Sequence, residues 1–162
     1  VRGTVALADV VDQTGAEDAS ARLETVSSIW RGVLDVSLTV RPRAAELLSG
    51  APDITDACVE VVREILLNSV RHSGATHAEV IVGAEQAALL GIRVREHASG
   101  RMPLGAIGGP GLGRTLIDSL AVDWAESDTE DGRTTVALLA AGRPATATAD
   151  ARSLLADVSS LA

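Results

Sequence analysis

Phenylalanine, tyrosine and lysine are absent from this chain, and all 14 of its basic residues are arginine. Without Phe or Tyr, a core has to be assembled from Ala, Val, Leu and Ile. The hydrophobic content of 46% suffices for that and excludes a disordered chain. At 162 residues the length suits one domain with a real core. Cys58 stands alone, which excludes an internal disulfide framework and suits a reducing compartment. No Cys–His arrangement surrounds it, so it reads as a core residue rather than a nucleophile. No apolar run reaches transmembrane length, so no membrane contact is expected from this stretch, and Val1 opens no signal peptide. The missing initiator Met leads us to expect a piece of a larger protein, cytoplasmic here even if its parent is membrane-anchored. Positive charge is also scarce. A net charge of −8 argues against a nucleic-acid or anionic-membrane surface, although backbone N–H groups and a metal ion still let an acidic protein bind an anion.

What is present is organised around Asp53 to Gly74. Apolar residues recur at Val59, Val62, Leu66 and Val70, widened by Val61, Ile65 and Leu67, so the spacing predicts one long helix. Asp53 or Thr55 would cap it, and Ser73-Gly74 would close it. Glu64, Asn68 and His72 fall at i, i+4 and i+8, nearly in line on one face. Asn68 is the only asparagine in the sequence. A polar line beside a buried stripe either meets solvent as a plain helix flank or faces a ligand or metal.

Before this helix, Val1 to Ala16 reads as a short helix and connector. Asp18 to Ile29 reads as an amphipathic helix with Ala21, Val26 and Ile29 inward. Val33 to Val40 alternates as a half-buried strand, and Ala44 to Leu48 makes a helical turn closed by Gly50. After it, His77 to Val82 and Leu89 to Arg95 form a hairpin-like antiparallel pair. Glu96 to Gly111, rich in glycine, reads as a loop, and Leu112 to Val122 as a helix. Ser127 to Gly132 is a polar turn and Arg133 to Ala140 a last strand. Residues 1–17 are thus expected to be a connector, 18–141 the folded domain, and 142–162 a linker with a short apolar helix. The order of elements predicts an α+β two-layer sandwich, its mixed and mostly antiparallel sheet carrying helices on one face.

The run Gly108-Gly109-Pro110-Gly111-Leu112-Gly113 leads straight into a helix, where glycines and unpaired N–H groups suit phosphate. It is not a Walker A loop, for no Gly-Lys-Ser/Thr follows, and no strand runs into it as in a dinucleotide fingerprint. Alone, such a run is equally a flexible connector.

Together with the helix upstream, these residues resemble the ATP-binding domain of the GHKL superfamily, shared by sensor histidine kinases, gyrase and the mismatch-repair ATPases. The likeness covers roughly Asp18 to Ala140, and is nearest to two-component sensor kinases with short ATP lids, of the nitrate-sensor type. Residues Arg63 to Gly74 (REILLNSVRHSG) are similar to the family's N box, Gly109 to Gly113 to its second glycine box, and Gly132 to Val136 to its closing Gly-Thr element. The resemblance implies the Bergerat fold and binding of ATP with Mg²⁺. On this reading Asn68 completes the coordination of Mg²⁺ at the phosphates, and Glu64 orients or deprotonates the attacking group as the catalytic residue. Arg71 and His72 line the phosphate side. Gly109, Gly111, Leu112 and Gly113 cradle the phosphates, and Thr134 approaches the adenine.

The first glycine box departs from its pattern. Where the family has Asp-x-Gly-x-Gly, this chain has Glu96-His97-Ala98-Ser99-Gly100. Glu96 keeps the acceptor for the adenine amino group on a side chain one methylene longer, and Ala98 puts a methyl where close approach is wanted. Weak ATP binding is the expectation, with Glu96→Asp and Ala98→Gly tightening it. The histidines are His72, His77 and His97, all within the nucleotide domain. The implied partners are therefore a separate histidine-bearing dimerisation domain and a response regulator, with a homodimeric parent. Two further readings stand beside this one: a degenerate GHKL domain serving as a non-catalytic regulatory module, and an anti-sigma-type protein serine kinase.

Overall fold

A computed structural model of the chain describes residues 19–86, 88–98 and 112–141. The expected 1–17 connector and 142–162 tail lie outside the described residues. Within them, α1 is helical over 19–28, followed by β1 (Asp35–Val40), α2 (Pro42–Gly50) and α3 (Pro52–Asn68). A π-helical turn, Ser69–Ser73, continues α3. Next come β2 (Ala75–Gln86), β3 (Leu89–Ala98), α4 (Leu112–Leu120), β4 (Asp123–Thr129) and β5 (Gly132–Ala140). The sheet order is β1-β2-β3-β5-β4. β1 pairs parallel with β2 and every other pair is antiparallel. This is the expected α+β sandwich. The α2–α3 crossover is what makes the one parallel pair, since parallel neighbours cannot be joined by a tight turn.

The core lies between the helices and one face of the sheet. Val80 and Val82 of β2, Leu90, Ile92 and Val94 of β3, and Ala137 and Leu139 of β5 face Val61, Val62, Ile65 and Leu66 of α3. Leu23 and Val26 of α1, Leu48 of α2 and Ile117 of α4 complete it. It is aliphatic throughout, as the missing aromatics require. Trp30 and Trp124 are only half-buried at its margin.

Several local expectations need correction. Neither Asp53 nor Thr55 caps α3; its N-cap is Ala51 with Pro52 at the first helical position, a place where no N–H is missed. The Thr55 hydroxyl instead donates to the Leu48 carbonyl at 2.9 Å, tying α3 to the end of α2. On α1, Val26 is inward as expected, but the buried stripe is Ala19, Leu23, Val26 and Ser27. Ala21 is exposed and Ile29 is 63% exposed, because the helical turn ends at residue 28. β3 runs on through Glu96 to Ala98, since β2 pairs with it that far, His77 opposite His97 and Ala75 opposite Ala98. Residues 123–129, partly read as a turn, form the edge strand β4. Its sequence DWAESDT has poor strand propensity, and the ladder with β5 supplies what its side chains do not.

Candidate functional site

The helix expected to run unbroken to Gly74 loses its α geometry after Asn68. Ser69–Ser73 is π-helical, and Gly74 closes it at φ 64°, ψ 21°, a left-handed conformation suited to glycine. Single π turns are frequent at functional sites. Here the change means that Glu64 and Asn68 share the last α turns, both half-buried, whereas Arg71 and His72 stand exposed on the π turn. The i, i+4, i+8 line therefore breaks at His72. Among the described residues, Glu64 and Asn68 make no side-chain hydrogen bond or ion pair.

Beneath this end of α3 lies the end of β3. Side chains of Leu90, Ile92 and Val94 point into the core, and two residues further Glu96 points the same way. It is 3% exposed. Its Oε1 accepts a hydrogen bond from the Ser69 hydroxyl at 2.6 Å. Its Oε2 is buried with no hydrogen-bond partner among the described residues. A carboxylate oxygen shut from water without a donor is costly and points to a ligand that supplies one.

β5 decides which threonine shares the Glu96 face. Ala137 and Leu139 lie in the core against the helices, whereas Val136 and Leu138 form a separate cluster with Leu89 and Val122. By the two-residue strand period, Thr135 lies on the helix side and Thr134 on the other. The pairings agree: Thr135 sits opposite core Val94, and Thr134 opposite exposed Arg95. Thr134, expected near the adenine, is thus turned away from Glu96, while the buried Thr135, at 2% exposure, lies on the Glu96 face. The face alternation was available in the sequence, but the parity was not, because two threonines stand in succession.

On the same face, Arg133 bonds Asp128 at 2.8 Å. That hydrogen bond, followed by the charges of Asp128, Glu126 and Glu96, raises the Arg133 pKa and holds it cationic. Arg114, near the start of α4, pairs with Glu126 at 2.7 Å and lies 5.9 Å over the Trp124 ring, whose Nε1 donates to Asp118. Arg114, Arg133 and Trp124 were not among the expected site residues; the β4–β5 register and the contacts of α4 with β4 group them. Leu112 and Gly113 open α4. Gly100, Gly109 and Gly111 lie outside the described residues. A separate polar cleft of about 870 Å³, lined by Glu24, Ser28, Arg31 and Asp35, opens at the β1 edge, two strands from Glu96. No described group of three or more His, Cys, Asp or Glu could hold a metal ion, and no described helix is long and apolar enough to cross a membrane.

Neither a protein-family model nor a curated protein matches this chain. Solved structures do. It is similar to the blue-light-activated histidine kinase of Erythrobacter litoralis EL346, at 14% identity and a TM-score of 0.55 over 78% of this chain and 42% of that one. It is also similar to the nucleotide-free catalytic domain of histidine kinase ThkA, at 8% identity and a TM-score of 0.50 over 75% of this chain and 91% of that domain. At such identities the likeness is one of fold: the chain has the fold of histidine-kinase catalytic domains. It spans less than half the length of the blue-light-activated kinase.

Proposed function

We propose that this chain is the ATP-binding catalytic domain of a two-component sensor histidine kinase, of the short-lid, nitrate-sensor type. The observation that carries the reading is Glu96, a buried carboxyl with one unpartnered oxygen at the end of β3. It lies beside the helix end that holds Glu64 and Asn68, in a fold shared with histidine-kinase catalytic domains. The exocyclic amino group of adenine is a donor of the kind Oε2 lacks. Thr135, on the same face one pair along, offers a hydroxyl to the same base.

Asn68 supplies the neutral oxygen that would hold Mg²⁺. Mg²⁺, when bound, neutralises phosphate charge. Glu64, one helical turn before Asn68, would orient or accept the proton of an incoming acceptor. Arg71, exposed on the π turn, and the backbone at Leu112 and Gly113 would meet the phosphates. The acceptor is a histidine on a separate dimerisation module, from which a response regulator takes the phosphoryl group. Titration calorimetry with ATP, with and without Mg²⁺, tests the reading: binding strengthened by Mg²⁺ supports it. Absence of nucleotide binding under both conditions would replace it with a non-catalytic regulatory role.

A further inference from the structure

The longer acid at position 96 was expected to misplace its acceptor oxygen. The structure gives that side chain a dedicated holder. Ser69 is fully buried at the first position of the π turn, and its hydroxyl lies 2.6 Å from Glu96 Oε1 and 2.9 Å from the Ile65 carbonyl. A hydroxyl has one proton to donate. Of its two contacts the one to Glu96 is the shorter and is made to an acidic oxygen, so the hydroxyl proton is assigned to Glu96. With Oε1 so occupied, the rotation of the carboxyl group is fixed and Oε2 is left as the single open acceptor.

We infer that Ser69 is a positioning residue that sets base specificity: it clamps one oxygen of Glu96 so that the other selects a 6-amino purine. The inference rests on reading this cleft as an adenine site. It also reverses the expectation drawn from the family pattern. An aspartate at 96 would withdraw its oxygens from Ser69 by about one carbon–carbon bond, roughly 1.5 Å, so Glu96→Asp loosens ATP instead of tightening it.

The test measures affinity for ATP, inosine triphosphate, which carries a carbonyl in place of the amino group, and inorganic tripolyphosphate. The parent should prefer ATP to inosine triphosphate about tenfold, the scale of one buried hydrogen bond. Ser69→Ala should lose most of that preference while its tripolyphosphate affinity stays the same. A residue serving helix structure alone would lower all three affinities together or none. Glu96→Asp should have the same effect, and adding Ser69→Ala to it should change little, because the two act as one unit. If Ser69→Ala fails to fold, Glu96→Asp, which leaves the helix untouched, decides the matter by itself. A parent that prefers ATP while Ser69→Ala keeps that preference overturns the inference and spares the functional reading. A parent that binds no nucleotide overturns both.

Discussion

Asn68 is the last residue of α3 before the helix widens, half-buried and without a side-chain partner among the described residues. Its side chain therefore contributes little to stability, and Asn68→Ala opens no core cavity. We expect the variant to melt close to the parent and to lose the Mg²⁺-dependent part of nucleotide binding, as read by paired calorimetry and thermal melts. Parent-like Mg-ATP binding would make Asn68 an ordinary solvated helix residue. Glu96 is the opposite case. A buried carboxyl with one oxygen unpartnered has a standing desolvation cost, which a bound donor would relieve.

At the level of single elements, two features of the secondary structure can be probed. The first is the parity of β5. Thr135→Val removes a hydroxyl from the Glu96 face at nearly constant volume, and should weaken ATP several-fold, up to about tenfold, at unchanged or raised stability. Thr134→Val, on the opposite face, should leave affinity unchanged. The reverse result in calorimetry would overturn the assignment of faces. The second is α3. Cys58 is fully buried in it, and desolvation pushes its thiol up from 9.0 to about 12. Between those two values the unfolded chain gives up a proton that the folded one retains. Stability is therefore intact below about pH 9 and falls as pH rises toward 12, by at most roughly 1.4 kcal/mol per unit. The chain has no lysine and no tyrosine, so few other groups titrate in that window. Urea midpoints at pH 8 and 10.5 should differ for the parent and differ less for Cys58→Ala.

For the whole molecule, the question is where the phosphoryl group can go. His72 is exposed on the π turn beside the proposed phosphate side, while His77 and His97 pair across β2 and β3 with rings 5.6 Å apart, His77 lying 3.5 Å from Asp35. His77 thus lies between Asp35 on β1 and His97 on β3, on the sheet face opposite Glu96. Incubated alone with Mg-ATP, this chain should accumulate no acid-labile phosphate. With a separate helical hairpin bearing an acceptor histidine, label should appear on the hairpin. Labelling of the chain's own histidines would overturn the proposed division of labour. The chain's net charge of −8 should also leave DNA unbound at physiological salt, in keeping with its composition.

The sequence by itself determined the aliphatic core, the α+β order of elements and the helix carrying Glu64 and Asn68. These follow from local periodicity, which the side chains of one segment encode without help from another. It also singled out Glu96 as the residue where the resemblance departs from its pattern. Tertiary structure decided what depends on register between segments. β4 exists because β5 pairs with it, the polar DWAESDT run having little strand tendency of its own. Thr135 rather than Thr134 shares the face of Glu96 because a two-residue period leaves the choice of face to the neighbouring strand. Ser69 meets Glu96 across 27 positions of sequence, only because the end of α3 is laid over the end of β3. A contact of that kind is a property of packing, and neither segment carries a sign of it alone.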